Sequence, residues 1–308
     1  MKVLVTGGAG FIGSHVVDRL IQEGHEVVVV DNLSTGKRKN VPHAANFYKA
    51  DTQGSRLDRI LKKERPTVIF HLAAQMNVRK STEDPGFDAQ VNILGTINLL
   101  ESAVRYGTRK VIFASSGGAV YGEQQIFPAP ESHPTHPLSP YGISKLTGEH
   151  YLAYYEHVAG LGYVSLRYGN VYGPRQAPEG EAGVVAIFSQ AMLKEGQPLI
   201  NGNGLQTRDY IFVDDVVSAT VGAMQPNIQG TYNVGTGKES SVNEIFHQVK
   251  LLTNSECKEI HGPEKRGEQI RSVLNSAKLR EALDWEPMVV LDEGLQLTVE
   301  FFKGMTKK

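Results

Sequence analysis

The 308-residue chain has one cysteine, almost no net charge and no long apolar run, and each absence excludes a class of protein. Cys257 alone cannot form an internal disulfide or a metal site with several cysteine ligands, which fits a reducing compartment. The 32 basic and 33 acidic side chains leave no overall positive field to hold a nucleic acid. No run approaches the ~20 apolar residues of a membrane span, and residues 1–13 lack the pattern of a signal peptide. We therefore expect a soluble, cytoplasmic protein that binds no metal, nucleic acid or membrane.

Short β-branched runs alternate with helical periodicity in the first half of the chain. Lys2–Thr6 predicts a strand, Ile12–Glu23 a helix and His25–Val30 a second strand, a βαβ unit that implies parallel pairing. The pattern continues with strands at Val68–His71, Lys110–Ser115 and Tyr163–Arg167 and helices at Asp88–Tyr106 and Tyr141–Leu161. Continuous apolar strands indicate a sheet covered on both faces. The predicted fold is α/β, with a doubly wound parallel sheet of the Rossmann type.

After about Asn170 the alternation weakens. Residues 173–183 are rich in glycine, proline and charge and predict a loop. Further elements are predicted, namely a strand at Tyr210–Val213 and helices at Val184–Glu195, Val242–Leu252, Ser276–Leu283 and Leu291–Phe302. No clear linker separates the two halves, so we expect a smaller C-terminal α/β domain that packs against the first.

A glycine-rich turn, TGGAGFIG at residues 6–13, connects the first strand to the first helix. Gly7, Gly10 and Gly13 lack side chains, so the backbone can turn tightly and approach a pyrophosphate at the helix N-terminus. Asp31 ends the second strand, where a carboxylate accepts hydrogen bonds from ribose hydroxyls and repels a 2′-phosphate. The combination predicts NAD as the cofactor, and a glycine turn without a ligand is the alternative.

Tyr141 and Lys145 share one face of a predicted helix. Free tyrosine has a pKa near ~10, and we expect the Lys145 cation and the positive nicotinamide ring to favour the phenolate. Tyr141 would then be the base that deprotonates a sugar hydroxyl. The preceding strand ends in Ser115 and Ser116, and ligands bind at such strand ends. We predict Ser116 as the catalytic serine and Ser115 as structural; a solvated helix face and a serine-capped turn are the alternatives.

These motifs, in this order, resemble the extended short-chain dehydrogenase/reductase superfamily. Four further segments resemble its UDP-glucose 4-epimerase group, and the likeness runs from Met1 to about Asn275; the segments are residues 31–36 (DNLSTG), 71–74 (HLAA), 167–175 (RYGNVYGPR) and 206–210 (QTRDY). The resemblance implies an NAD-binding domain over residues 1–170, with a returning segment near 205–235, and a domain over 171–308 that mainly binds the nucleotide sugar.

The resemblance also implies the ligand contacts. Asn92 would lie near the active-site helix. The implied cofactor contacts are Gly7, Gly10, Phe11, Ile12, Gly13, Asp31, Asn32, Asp51, Thr52, Leu72, Ala73, Ala74, Tyr141 and Lys145. The implied substrate contacts are Ser116, Tyr141, Asn170, Arg208, Arg266 and Glu268. The arginines suit the diphosphate because their donor fork matches phosphate oxygens, and surface ion pairs are the alternative.

The implied reaction is 4-epimerisation of a UDP-sugar, such as UDP-glucose and UDP-galactose, through a transient 4-keto sugar with NAD regenerated. In the related 4,6-dehydratases this strand ends in a threonine followed by an aspartate and a glutamate, the acid and base for the loss of water. This chain has Gly117 and Gly118 at the equivalent positions, and neither can transfer a proton, so dehydration is disfavoured. Epimerisation of UDP-glucuronate, a reductase that releases its cofactor and a non-catalytic NAD-binding regulator remain alternatives.

Two finer expectations follow from the same resemblance. Ser272 falls where a tyrosine restricts some epimerases to sugars without an N-acetyl group, so N-acetylhexosamines should be tolerated. The helices Asp88–Tyr106 and Tyr141–Leu161 resemble those that form a four-helix contact between subunits, which predicts a homodimer. Tyr151, Leu152 and Tyr155 are candidates for that contact, and a role in the internal core is the alternative.

Overall fold

The chain folds around a parallel sheet in the structure, a computed structural model that describes residues 1–178, 183–264 and 269–306. Within those residues the sheet has seven strands in the order β11-β6-β5-β4-β1-β2-β3. The strands are β1 Lys2–Thr6, β2 Glu26–Asp31, β3 Asn46–Lys49, β4 Val68–His71, β5 Lys110–Ser116, β6 Gly162–Tyr168, β7 Asn170–Tyr172, β8 Ile200–Asn201, β9 Thr207–Arg208, β10 Tyr210–Phe212, β11 Gly230–Val234, β12 Ser240–Ser241, β13 His261–Gly262 and β14 Arg271–Ser272. The predicted α/β fold with a doubly wound parallel sheet is confirmed.

Helices cover both faces of this sheet. The helices are α1 Phe11–Gln22, α2 Ser55–Glu64, α3 Val78–Glu83, α4 Pro85–Ala89, α5 Gly95–Arg105, α6 Gly117–Val120, α7 Pro140–Ala159, α8 Val184–Leu193, α9 Val213–Gly222, α10 Val242–Thr253, α11 Ala277–Leu283 and α12 Leu291–Thr306, with a 3₁₀ turn at Arg38–Asn40 and a π-helical turn at Gln90–Leu94. None of the helices described here has the length and apolar character to cross a membrane.

The central strand β1 shows why the sheet is buried on both sides. Val3, Leu4 and Val5 are all fully buried, and successive side chains of a strand point to opposite faces. Val3 and Val5 pack in the cluster that includes α1, whereas Leu4 packs in the cluster beneath α2 and α5. Each face therefore has its own apolar core, which fixes the register of the strands.

The second half of the chain contributes both to the sheet and to a separate cap. Strand β11 returns to pair with β6 at the sheet edge, and α9 packs against α1. Helices α8, α10 and α12 pack together, beside the short sheets β7–β10, β9–β12–β14 and β8–β13. The returning strand lies within the predicted range 205–235; the domain boundaries themselves stay a prediction.

One predicted helix is continuous but contains a π-helical turn that was not predicted. The range Asp88–Tyr106 comprises α4, the π-helical turn and α5. The extra residue in this turn leaves the apolar periodicity almost unchanged, so the sequence pattern does not reveal it. The ends of the predicted elements differ from the observed ones by up to four residues. The elements that were not predicted are α2, α3, α6, α9, β3, β7, β8, β9, β11, β12, β13 and β14.

Candidate active site

The glycine turn closes tightly between β1 and α1. Gly7 has a φ of 72°, in the left-handed region that glycine adopts without strain. A Cβ at Gly7 would lie 2.7 Å from the Ala73 nitrogen, and a Cβ at Gly13 would lie 2.2 Å from the Gly7 oxygen. Both positions therefore exclude any side chain. The N-terminal turn of α1, including Phe11 and Ile12, follows directly, so its backbone N–H groups face this turn.

Asp31 reinforces the same turn from the end of β2. It is 6% exposed, and its two carboxylate oxygens accept hydrogen bonds from the backbone N–H groups of Ala9 at 3.0 Å and Leu33 at 2.7 Å. The exposed Asn32 donates to Asp51 Oδ1 at 2.6 Å. Asp31, Asn32 and Asp51 thus line one side of the turn, and the free lone pairs of Asp31 suit ribose hydroxyls.

The segment after β4 forms the neighbouring wall. Leu72, Ala73 and Ala74 are half-buried, and Ala73 N donates to Thr6 Oγ1 at 3.2 Å. His71 Nδ1 lies 2.8 Å from Thr6 Oγ1, and its Nε2 lies 3.0 Å from Thr96 Oγ1.

The protonation of His71 follows from these partners. Thr96 Oγ1 donates its hydrogen to the backbone oxygen of Asn92 at 2.7 Å. Thr96 Oγ1 must therefore accept from His71 Nε2. His71 Nδ1 then carries no hydrogen and accepts from Thr6 Oγ1. Burial lowers the pKa of His71 to about 3, so a neutral His71 joins β1, β4 and α5.

Ser116, Tyr141 and Lys145 converge at the carboxyl end of β5. Ser116 ends β5 and hydrogen-bonds the phenol of Tyr141. Helix α7 begins at Pro140, and Ser139 caps its N-terminus, with the Ser139 side chain accepting a hydrogen bond from Gly142 N at 3.1 Å. Lys145, one turn after Tyr141, donates to the Ala114 oxygen at 2.8 Å. Because β1, β4 and β5 are adjacent and parallel, these side chains lie at the same sheet edge as the glycine turn.

Burial dominates the electrostatics of this trio. It raises the pKa of Tyr141 to about 12, against the hydrogen bond from Ser116. It also lowers the pKa of Lys145 to about 8, against the nearby carboxylates of Asp88 and Glu149. The pKa of Tyr141 is thus raised in the chain by itself, because desolvation dominates; the lowering expected from Lys145 together with the nicotinamide ring stays a prediction. A further positive charge is required to favour the phenolate.

Two buried carboxylates near Lys145 escaped the sequence reasoning. Glu149 accepts from Ser115 Oγ at 2.5 Å and from Arg167 Nη2 at 2.6 Å. Ser115 therefore points into a structural network, and the catalytic role of Ser116 stays a prediction. Asp88 lies on α4 and accepts from Asn92 Nδ2 at 3.0 Å. Asn92 is 4% exposed and lies on the π-helical turn, so it lies beside the active-site helix as expected.

A second group of predicted residues meets on the opposite side of Ser116. A Cβ at Gly118 would lie 3.7 Å from Asn170 Oδ1 and 3.9 Å from Ser272 Oγ. Ser272 on β14 pairs in register with Arg208 on β9. The half-buried Arg208 donates to the Thr207 oxygen at 2.8 Å. Asn170, Arg208 and Ser272 are thus brought together beside Gly118, although they are far apart in sequence.

Asp209 anchors this second group and was not predicted. It is 1% exposed, and its carboxylate accepts from the backbone N–H groups of Thr236 at 2.8 Å, Gly237 at 3.1 Å and Leu274 at 3.2 Å. Burial raises the pKa of Asp209 despite these bonds. The adjacency of Asp209 to Arg208 was the only signal in the sequence.

Other predicted contacts lie at the edge of the site or outside the described residues. Thr52 is 7% exposed and accepts from Asn98 Nδ2 at 2.6 Å through its backbone oxygen, so its side chain is largely covered. Arg266 and Glu268 lie outside the described residues. No cluster of three or more His, Cys, Asp or Glu side chains that could hold a metal occurs in the described part of the chain.

Comparisons with known proteins agree with this geometry. The model of the NAD dependent epimerase/dehydratase family matches residues 3–235. A UDP-glucose 4-epimerase of Mycolicibacterium smegmatis is 46% identical over 313 residues, which cover 100% of both chains.

Two solved structures are also similar to this chain over nearly its whole length. A UDP-glucose 4-epimerase of Thermotoga maritima, solved with UDP-glucose, has a TM-score of 0.97 and 48% identity, covering 99% of this chain and 100% of that one. A UDP-glucose 4-epimerase of Thermus thermophilus, solved with NAD, has a TM-score of 0.95 and 46% identity, covering 99% of both chains.

Proposed function

The chain belongs to the NAD dependent epimerase/dehydratase family, and on that premise we propose that it is an isomerase, an NAD-dependent 4-epimerase of UDP-sugars. The observation that carries the proposal is the meeting of Ser116, Tyr141 and Lys145 beside the glycine turn. The relatives named UDP-glucose 4-epimerase, at 46% and 48% identity over nearly whole chains, support the same activity.

The residues present fit NAD. The cradle at Gly7 and Gly13 is one that a Cβ would fill, which leaves its backbone open to a pyrophosphate. Asp31 can accept hydrogen bonds from ribose hydroxyls, and its negative charge would repel a 2′-phosphate. Asn32, Asp51 and Thr52 border the adenine end, and Leu72, Ala73 and Ala74 line the pocket. When bound, NAD supplies the hydride acceptor and donor for C4 of the sugar.

The side chains of the trio divide the remaining work. Tyr141 removes the proton of the 4-hydroxyl, and Ser116 orients that hydroxyl through its own bond to the phenol. Lys145 binds the nicotinamide ribose and supplies a positive charge near Tyr141. The 4-keto sugar then turns, so that the hydrogen would return to C4 on the opposite face of the ring, and Tyr141 returns its proton to the oxygen on C4. Asn170 and Arg208 hold the nucleotide diphosphate while the sugar moves, and the implied roles of Arg266 and Glu268 stay predictions.

The glycines after Ser116 favour epimerisation over dehydration. A Cβ at Gly117 would lie 2.5 Å from Leu274 Cδ1, so this position has no room for the acid that a dehydratase uses. Gly118 has room but no proton-transfer group. The site can therefore oxidise C4 but lacks an acid and base for the loss of water across C5 and C6.

Tolerance of an N-acetyl group is a finer part of the proposal. Ser272 Oγ lies near Gly118, at the edge where the sugar would turn, and Ser272 is small. A serine occupies less of this edge than the tyrosine found in some epimerases would. UDP-glucuronate is the alternative substrate, because Arg208 pairs in register with Ser272 and its cation could face a carboxylate instead of a phosphate.

We also propose a homodimer formed through α5 and α7. Leu152 and Tyr155 are 1% and 8% exposed and belong to the internal core, so the proposed contact uses their neighbours. Val104, Tyr154 and Val158 are 39%, 55% and 54% exposed on the outer face of the same helices. Light scattering coupled to gel filtration should give twice the subunit mass of 33.7 kDa. The location of the protein in the cytoplasm stays a prediction.

The experiment that tests the function uses purified protein without added cofactor. UDP-glucose, UDP-N-acetylglucosamine and UDP-glucuronate are incubated separately, and the anomeric and H4 signals are followed by NMR. We expect C4 epimers from UDP-glucose and from UDP-N-acetylglucosamine. A protein that leaves all three sugars unchanged while it holds NAD would instead be a regulator or a reductase.

A further inference from the structure

A fully buried carboxylate binds the helix that carries Lys145, and none of the sequence motifs includes it. Asp88 is 0% exposed. Its Oδ1 accepts from Gln75 Nε2 at 2.9 Å and from Asn92 Nδ2 at 3.0 Å, and its Oδ2 accepts from Ser144 Oγ at 2.7 Å. All three donors are neutral, so they fix the carboxylate in place without cancelling its charge.

The other charged groups around Lys145 are already compensated. Glu149, one turn further along α7, is bound by Arg167 through Nε at 3.0 Å and Nη2 at 2.6 Å. His71 faces Lys145 from β4 and stays neutral, because burial lowers its pKa to about 3. Tyr141 is neutral in the chain alone, since its pKa is raised to about 12. Among the described residues, no salt bridge joins Asp88 to a cationic side chain.

We propose that Asp88 is the buried counter-charge of Lys145 and a positioning residue for the catalytic helix α7. Its three partners lie on the loop after β4, on the π-helical turn and on α7. Ser144 directly precedes Lys145 in the chain, so the carboxylate holds α7 at the residue next to Lys145. The π-helical turn places Asn92 against this carboxylate, so the turn contributes to holding Asp88 in position.

The electrostatic consequence has a definite sign. Burial lowers the pKa of Lys145 to about 8, and Asp88 is the largest influence that raises it. Without the charge of Asp88, Lys145 would lose its proton at a lower pH. The importance of this charge for turnover rests on the proposed function, whereas the pairing of the two side chains does not.

The test is a titration of Lys145 in the full-length protein as purified, by NMR of ¹³Cε-labelled lysine. The Lys145 signal is identified by its loss in Lys145→Arg. In Asp88→Asn, which keeps the size of the side chain, we expect the midpoint to fall by about one pH unit, a tenfold change in proton affinity. With NAD and UDP-glucose, the alkaline limb of kcat should move in the same direction, while KM changes less.

Two controls separate charge from geometry. Ser144→Ala removes one hydrogen bond but keeps the carboxylate, and Asp58→Asn removes a carboxylate on α2 that binds Arg105 far from the site. Both should leave the Lys145 midpoint in place. An unchanged midpoint in Asp88→Asn, or an equal shift in Ser144→Ala, would overturn the proposal. If Asp88→Asn fails to fold by circular dichroism, Asp88→Ser takes its place. The titration needs no sugar turnover, so it stands even if the protein is not an epimerase.

Discussion

The two sides of the active site are built in different ways. The cofactor side rests on β1, β4 and β5, which have four to seven residues each and are buried on both faces. The sugar side rests on β9 and β14, which have two residues each, and on Asp209, which holds three backbone N–H groups. The long parallel strands fix the reacting groups, whereas short paired segments leave the sugar side open to variation. On the proposed function, long buried strands thus support the groups for the chemistry, and short paired strands support the groups for the sugar.

The largest expected effect comes from the junction of the two sides. Tyr141→Phe removes the phenol that Ser116 contacts at the end of β5, and we expect kcat to fall by about a thousandfold, within the range for loss of an acid–base group. NAD should remain bound, because the cradle is untouched. The measurement is steady-state epimerisation together with the absorbance of bound dinucleotide after denaturation.

A matched control for this change is Tyr154→Phe, on the exposed face of α7, which should keep wild-type kcat. Substantial turnover in Tyr141→Phe would assign the proton transfer to another group.

On the cofactor side, Gly13→Ala should weaken NAD binding by about a hundredfold. The added Cβ would lie 2.2 Å from the Gly7 oxygen, and such overpacking costs about 1–3 kcal/mol. Calorimetric titration of NAD into protein stripped of cofactor measures the change.

Gly304→Ala, where a Cβ meets nothing within 4 Å, is the control and should bind NAD normally. Equal affinity in the two variants would mean that the dinucleotide lies elsewhere.

On the sugar side, Arg208→Leu should raise KM for UDP-glucose by about tenfold to a hundredfold and leave NAD affinity unchanged. The loss corresponds to a charge-assisted hydrogen bond worth about 1.5–3 kcal/mol. Initial rates over a range of UDP-glucose concentrations give KM, and the same calorimetry gives NAD affinity.

Arg208→Lys keeps the charge but not the donor fork, so its KM should lie between the KM of the unchanged protein and that of Arg208→Leu. A fall in kcat at constant KM would place Arg208 in the chemical step instead.

The smallest effect should come from Ser272→Tyr. The larger side chain would enter the space beside Gly118, so activity on UDP-N-acetylglucosamine should fall by about tenfold relative to UDP-glucose. Competition between the two sugars in one NMR tube measures the ratio directly.

Ser272→Ala, which stays small, should leave the ratio unchanged. Equal loss on both sugars in Ser272→Tyr would show that Ser272 does not select the sugar.

The same contrast explains what the sequence could predict. The glycine turn, Asp31 and the Tyr141–Lys145 pair are local patterns, and the parallel order of the strands brings local patterns to one edge. The fold class and the NAD cofactor could therefore be predicted from them.

The sugar side and the supporting groups depend on long-range contacts. Asp88 meets Ser144 across 56 positions, and Asp209 meets Leu274 across 65, so neither pattern exists in any window of sequence. The raised pKa of Tyr141 was missed for the same reason, since burial is a property of the packed site.

The central claim is that Tyr141 takes the proton of the 4-hydroxyl, while the hydrogen on C4, for which NAD would be the acceptor and donor, leaves the sugar and returns to the same carbon. The direct measurement is epimerisation of UDP-glucose deuterated at C4, in ordinary water, with the product analysed by NMR and mass spectrometry. The account predicts that deuterium remains at C4 of the UDP-galactose formed. Loss of the label to water, or its transfer to added free NAD, would contradict it.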